Sequence, residues 1–355
     1  MKPKFLIVLG TRPEIIKLAP IVYVLTQRKI HFEIVHTGQH YSTNMDQIFW
    51  DDFKMPTPKY NLAIQEKTHA LQVSKMVEKL DEIIQLENPN WVLVQGDTNS
   101  TFAGALAAAK RPGVRIAHIE AGLRSFDRTM PEEVNRVITD HLSDFLFAPT
   151  QVSKKYLLKE GLPARKIAVV GNTVQDILLR RMKGLKPDHA LQKAPYCLLT
   201  LHRQENTGDT KRLTRILEAV FEASKQHGLK LIFPIHPRTK SVLSELKFQI
   251  PSHVTLIDPV GYDQFLNLQK NARIVATDSG GLQEESCILN VPCITLRENT
   301  ERPETVKLKA NILAGVEPQK IKKSFAKMMK LKARWKSPYG GGRAAEKMIE
   351  ILLKA

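Results

Sequence analysis

Long apolar runs are missing from this chain: none approaches the ~20 residues that a helix needs to cross a bilayer. The start "MKPKFLIVLG" has only a short apolar stretch and no small-residue cleavage site after it, so neither a membrane span nor a secretory signal is expected, and the expected location is cytoplasmic. Cysteine is scarce. The three present, Cys197, Cys287 and Cys293, form an odd set without metal-ligand spacing, which argues against a disulfide framework or a zinc site. Their settings, "YCLL" and "PCITL" among them, suit small buried hydrophobes. Acidic residues are outnumbered, 36 against 53 lysines and arginines, and the formal charge of +17 asks for an anionic partner or a lysine-rich surface. Aromatics make up 6% and are not interleaved with a basic stretch, so a nucleic-acid-binding module is the minor alternative. The most basic segment, "QKIKKSFAKMMKLKARWK", repeats Ile321, Phe325, Met328 and Met329 at helical spacing. That pattern predicts an amphipathic helix with a lysine outer face.

What the chain does have is alternation. With 355 residues, 43% of them hydrophobic, it exceeds the usual size of one core and points to two domains. Short β-branched runs alternate with longer segments of 3.6 periodicity. "KFLIVLG", "HFEIVHTG", "WVLVQGD", "VRIAHIE", "DFLFAPT" and "KIAVVGN" are followed by "YCLLTLH", "KLIFPIH", "VTLIDP", "RIVATDSG" and "PCITLR". Near-continuous apolar strands with helical crossovers imply parallel sheets buried on both faces, hence an α/β chain of two doubly wound, Rossmann-like domains. Proline and lysine accumulate in "GNTVQDILLRRMKGLKPDHALQKAPY", which puts the boundary close to residue 173. "GGGRAAEKMIEILLKA" predicts a glycine turn and a terminal helix able to pack on either domain.

Charge gathers where strands end. "GTRPE", "TGQH", "QGDT", "IEAG", "LHRQEN", "PIHPR", "TDSGG" and "LRENTERPE" all follow strand carboxyl ends, the edge at which open parallel sheets bind ligands. In "DSGGLQEES" the free N–H groups near Ser279, Gly280 and Gly281 and the positive helix end could hold a phosphate, the alternative being a tight strand-to-helix turn. In "GTRPEIIK" Pro13 opens a helix, with Arg12 and Lys17 as two cations for a diphosphate, although surface cations of this kind are common. Asp97 and Glu120 end two strands expected to be neighbours. Glu132 and Arg136 of "PEEVNRVITDHL" share the helix face opposite Val134, Val137, Ile138 and Leu142, where the alternative is a simple exposed ion pair. His202 and Arg203, like His236 and Arg238, suit either a ligand site or capping and core roles.

Taken together, "GTRPEIIKLAP", "VQGDTNSTFAGALAA", "HIEAGLRSFDRTMPEEVNR", "VGNTVQD", "TLHRQENT", "IHPRT", "TDSGGLQEE" and "TERPETV" resemble, in order and over essentially the whole chain, the non-hydrolysing UDP-N-acetylglucosamine 2-epimerases. The resemblance implies a glycosyltransferase-B-like fold with two domains facing across a cleft and the terminal helix returning to the first. The expected division is 1–173 plus 343–355, carrying the catalytic carboxylates, and 174–342, binding UDP. It implies reversible epimerisation at C2 of UDP-N-acetylglucosamine by elimination of UDP and re-addition through 2-acetamidoglucal, supplying surface polysaccharide, by a homodimer needing no cofactor or metal. Carried over by motif, Asp97, Glu120 and Glu132 match the catalytic acids and bases. Arg12, Lys17, His202, Ser279, Gly280 and Arg302 match phosphate ligands, His202 being counted with the catalytic group. Glu285 matches the ribose-binding carboxylate and Phe265 the residue beside the uracil, while Glu133 and some of the arginines would hold the loop. Thr43, in a segment one residue longer than the family form, stands in place of an activating-site glutamine, so activation by substrate is not expected. The alternatives are a 2-epimerase of UDP-2,3-diacetamido sugars, a hydrolysing epimerase that releases N-acetylmannosamine, and an acceptor-dependent retaining glycosyltransferase.

Overall fold

The apolar runs are too short for helices and become strands. Five consecutive residues, Phe5–Leu9, form the first strand β1 and all are buried, so both of its faces are covered. The computed structural model describes residues 3–39, 50–185, 194–235 and 237–355; Thr43, His236 and the side chain of Arg238 lie outside the described residues. Among these, the chain divides into two units, Met1–Arg180 with Tyr339–Ala355, and Arg181–Pro338. The helix Thr173–Met182 runs through the first division without a break. No helix among the described residues is long and apolar enough to cross a membrane.

In the first unit, β1, β2 (Phe32–His36), β3 (Tyr60–Asn61), β4 (Trp91–Gln95), β5 (Arg115–Ile119), β6 (Phe145–Ala148) and β7 (Ile167–Val169) form a seven-stranded sheet in the order β3-β2-β1-β4-β5-β6-β7. Each pairing is parallel, for example Ile7 beside Ile34 on one side and Leu93 on the other. Helices His69–Glu87 and Asn99–Ala109 supply Met76, Leu80, Ile84, Ala103 and Ala107 to the core against Leu6, Val8, Val92 and Val94. Thr98 starts the second of these helices by accepting a hydrogen bond from the Thr101 N–H at 3.1 Å. The terminal helix Ala344–Leu352 packs on Arg12–Gln27, and Asp176 accepts from its first N–H groups, Ala344 at 3.1 Å and Ala345 at 2.8 Å. Gly171, at φ 98, brings the chain so close to the Tyr339 carbonyl that a Cβ there would lie 2.6 Å from it.

The second unit has β8 (Tyr196–Thr200), β9 (Lys230–Pro234), β10 (Val254–Ile257), β11 (Ile274–Thr277), β12 (Cys293–Thr295) and β13 (Asn311–Leu313) in the order β10-β9-β8-β11-β12-β13, again all parallel. Strands β3 and β13 have two and three residues and carry no periodicity that a sequence reading could detect. The basic segment forms the helix Pro318–Met329, whose Ile321, Phe325 and Met328 are buried in the core packed on the helix Thr210–Gln226, while Lys327 is exposed. The three cysteines are buried and unbridged, and burial pushes the thiols of Cys287 and Cys293 up to about 12. Because Phe325 is fully enclosed, Phe325→Ala should destabilise the fold by ~3 to 5 kcal/mol. Lys327→Ala should stay within about 0.5 kcal/mol in the same urea titration.

Candidate active site

In both sheets the chain turns in opposite directions on leaving two neighbouring strands, β1 and β4 in one unit and β8 and β11 in the other. Loops diverge there and leave backbone groups that need partners. The loops concerned are Gly10–Thr11 and Gly96–Thr98 in the first unit, and Leu201–Arg203 and Asp278–Ser279 in the second. Each pair is bridged by one buried carboxyl side chain, Glu14 in the first and Asp278 in the second.

Asp97 and Glu120 follow β4 and β5, which pair directly from Trp91 with Arg115 to Gln95 with Ile119. Glu120 is 6% exposed and stands at φ 71, a left-handed conformation that side chains with a Cβ adopt only at a cost of ~1 to 2 kcal/mol. Hydrogen bonds hold it there. Lys17 Nζ donates to both carboxylate oxygens at 2.7 Å, Asn172 Nδ2 donates to Oε1 at 3.2 Å, and Gln95 Nε2 donates to Oε2. Lys17 therefore meets a carboxylate 103 residues away, a pairing no local pattern announces.

Arg136 departs from the simplest expectation. Its side chain is 3% exposed, and its guanidinium reaches Asp97 Oδ2, with Nε at 3.2 Å, and Glu133 Oε2; the exposed pair with Glu132 is not what forms. The helix Pro131–Leu142 in fact buries a polar face of Glu133, Asn135, Arg136, Thr139 and Asp140 and leaves Ile138 exposed. Hydrophobic periodicity pointed to the opposite face because it weighs transfer from water and takes no account of partners waiting inside. Glu133 accepts from the N–H groups of Ser125 and Phe126 and from the Ser125 hydroxyl, each at 2.9 Å, and so holds the loop. Glu132 sits half-buried in the first turn, after Pro131. Arg12 occupies the first position of its own helix, also half-buried.

Beneath these groups lies a charged network built on the buried side chains of His118, Asp140 and Arg124. His118 Nδ1 is 2.7 Å from Asp140 Oδ1, and its Nε2 is 2.8 Å from the carbonyl of Gly96, next to Asp97. Arg124 bonds Asp140 at 2.7 Å and clamps Glu160 through two contacts at 2.6 and 2.7 Å. Burial pushes the Asp140 carboxyl up, but His118 and Arg124 more than offset it and leave the group below its ordinary range.

In the second unit, Asp278 accepts from the N–H groups of His202 at 3.2 Å and Arg203 at 3.0 Å, from Asn206 Nδ2 at 3.1 Å, and faces His202 Nδ1 at 3.1 Å. Burial raises its carboxyl, and His202 with these donors brings it below the ordinary range. His202 itself is half exposed at the strand end. Ser279 caps the helix Gly280–Ile288, and Gly280 lets Arg302 approach: a Cβ on Gly280 would lie 3.0 Å from Arg302 Nη1. That guanidinium is also 3.2 Å from Glu284 and 3.1 Å from Glu301. Glu285 is 3.5 Å from the hydroxyl of Tyr262, and Phe265, one turn further along the helix Tyr262–Asn271, packs half-buried against the cluster that contains Leu198 and Leu268.

The structure thus brings Asp97, Glu120 and Lys17 together at adjacent strand ends of one sheet, and His202, Ser279, Gly280 and Arg302 around the switch point and following helix of the other. Glu14, Gln95, His118, Asp140, Asn172 and Asp278 were not singled out from sequence. Position offered the one available signal, since Glu14 and Asp278 lie in strand-end segments on either side of a reversal in strand order.

The family model of UDP-N-acetylglucosamine 2-epimerase matches residues 24–353. The crystal structure of the Methanocaldococcus jannaschii UDP-GlcNAc 2-epimerase, in complex with UDP-GlcNAc and UDP, is 49% identical, covers 99% of this chain and 100% of that one, and superposes with a TM-score of 0.93. The UDP-2,3-diacetamido-2,3-dideoxy-D-glucuronate 2-epimerase of Pseudomonas aeruginosa is 41% identical, with 99% of each chain covered. A spinosyn forosaminyltransferase at 12% identity and a TM-score of 0.60 shares the fold alone.

Replacing Asp140 by an amide would remove the buried negative charge that His118 and Arg124 face, and would put amide hydrogens against one of them. Asp140→Asn should lower unfolding free energy at pH 7 by ~3 kcal/mol or more, measured by urea titration. The folded carboxyl lies below its ordinary value, so its stabilisation is complete above about pH 4 and lost as pH falls through the lower folded value. The gap between wild type and variant should therefore close on acidification.

Proposed function

The chain belongs to the UDP-N-acetylglucosamine 2-epimerase family, and from that premise we propose how its residues carry the reaction. It catalyses the reversible conversion of UDP-N-acetylglucosamine and UDP-N-acetylmannosamine, an inversion at C2. The observation that carries the residue assignment is the pair of carboxylates at the adjacent ends of β4 and β5, each set against a buried cation. The C2 proton of the ground-state sugar is not acidic. It becomes so as the bond from C1 to the UDP oxygen breaks and positive charge develops on the ring.

A carboxylate of the first unit takes the C2 proton as UDP departs, giving 2-acetamidoglucal; protonation of C2 from the other face and return of UDP to C1 give the epimer. Asp97, Glu120 and Glu132 are assigned to these proton transfers. Arg12, Lys17, His202, Arg302 and the helix end at Ser279 and Gly280 are assigned to the diphosphate, whose charge grows as the C1–O bond breaks. Glu285 is assigned to the ribose and Phe265 to the uracil. In this reading the first unit conducts proton transfer and the second holds UDP, in a cytoplasmic homodimer.

A second reading is supported by the Pseudomonas aeruginosa relative: the same chemistry on a UDP-2,3-diacetamido sugar. Proton NMR of the purified protein with UDP-N-acetylglucosamine in deuterated water separates the cases. UDP-N-acetylmannosamine bearing deuterium at C2 is the expected product. Free N-acetylmannosamine would mark a hydrolysing enzyme, and an unchanged spectrum would favour the diacetamido substrate. Asp97→Asn, Glu120→Gln and Glu132→Gln should each lower turnover by ~100-fold or more in the same assay. Folded variants that all retain native rates would overturn the assignment.

A further inference from the structure

Glu14 is 1% exposed and uses both oxygens to join the two loops at the switch point of the first sheet. Oε2 accepts from the Gly10 N–H at 3.0 Å and the Thr11 hydroxyl at 2.8 Å, both on the turn after β1. Oε1 accepts from the Thr98 hydroxyl at 2.8 Å and lies 3.2 Å from the Thr101 hydroxyl, both beyond β4. A count of protons decides the state of this group. The Thr101 hydroxyl has one proton, and the Gln95 carbonyl at 2.6 Å, which can only accept, takes it. Thr98 accepts from the Thr101 N–H at 3.1 Å, and its own proton goes to Glu14 Oε1 at 2.8 Å, the shorter of its two contacts, the other being the Thr101 oxygen at 3.0 Å. The contact between Glu14 Oε1 and the Thr101 oxygen is then a hydrogen bond only when Glu14 supplies the proton.

We propose that Glu14 is a positioning residue that works as a neutral carboxylic acid, its proton donated to the Thr101 hydroxyl, and so clamps the turn carrying Arg12 to the turn carrying Asp97. Electrostatics agree with the geometry. Among the described residues the groups bonded to Glu14 are one N–H and three hydroxyls, all neutral. The charged groups on the surrounding elements are Arg12 and Lys17 on its own helix, Asp97 beyond β4, Glu120 beyond β5, and Arg136. Lys17 is paired with Glu120, and Arg136 with Asp97 and Glu133. A carboxyl buried without a cation takes up a proton. Burial pushes Glu14 up to about 7, with the hydrogen bonds from Gly10, Thr98, Thr11 and Thr101 opposing it only in part. As the folded value lies above the ordinary one, the stabilisation is complete below the ordinary carboxylate range and lost as pH rises through about 7.

The kinetic consequence rests on the epimerase reading; the protonation state does not. Glu14→Gln supplies a carbonyl for Gly10 and Thr11 and amide N–H groups for the Thr101 and Thr98 oxygens, the Thr98 hydroxyl turning its proton to the Thr101 oxygen 3.0 Å away, whereas Glu14→Ala removes the clamp. At pH 6, Glu14→Ala should lose ~10-fold or more in kcat with a smaller change in KM, and Glu14→Gln should restore most of the rate. From pH 6 to 8 the wild-type kcat should show a fall centred near 7 that Glu14→Gln lacks. Carboxyl titration by NMR of carbon-13-labelled glutamate, with the Glu14 signal identified by its loss in Glu14→Gln, measures protonation without catalysis.

A Glu14 signal that titrates in the ordinary carboxylate range, or Glu14→Gln as impaired as Glu14→Ala at pH 6, would overturn the proposal. Should the wild type fail to epimerise at any pH, the functional reading falls alone. The carboxyl titration, with amide exchange at Gly10 and Thr101 faster in Glu14→Ala and unchanged in Glu14→Gln, still decides the clamp; unchanged exchange in both variants would refute it.

Discussion

A buried carboxyl group bridges the diverging loops at the switch point of each sheet, and the placement of the surrounding groups depends on it. Parallel strands that hand the chain off in opposite directions leave N–H groups and hydroxyls at their ends with no strand or helix to satisfy them. Glu14 gathers such groups between β1 and β4, and Asp278 does so between β8 and β11. The two solve one geometric problem with opposite electrostatics. Asp278 has two backbone N–H donors and an imidazole and is held below the ordinary carboxylate range, whereas Glu14 has mostly hydroxyls and is raised. Arg12 and Asp97 stand on the loops joined by the one, and His202 and Ser279 on the loops joined by the other.

Around Glu14 the first unit keeps its charges inside and paired. Lys17 with Glu120, Arg136 with Asp97 and Glu133, and His118 with Asp140, Arg124 and Glu160 fill space that a less polar protein would give to leucine. Such pairs add little net stability over apolar packing, but they are strongly position-specific because each member would be left unpaired by a shift of its partner. Fixed charges of this kind suit a reaction in which charge appears on a sugar ring and a departing diphosphate, since no reorganisation is needed when it develops. The left-handed backbone at Glu120 fits the same pattern, a local cost sustained by four hydrogen bonds on one carboxylate.

The strands other than β3 and β13, their parallel sense, the buried cysteines and the strand-end location of the charged motifs were all legible in the sequence, because each follows from apolar runs and spacings over a few residues. The inner face of the helix Pro318–Met329 was legible for the same reason. Tertiary structure alone decided who pairs with whom. Lys17 finds Glu120 across 103 residues, and Arg136 finds Asp97 across 39, because strand order brings β1, β4 and β5 side by side, and strand order is not a local property. It also reversed the buried face of the helix Pro131–Leu142, where partners in the interior outweigh hydrophobic periodicity, and it turned Glu14 from one carboxylate in a charged motif into a buried group whose bonding partners among the described residues are all neutral.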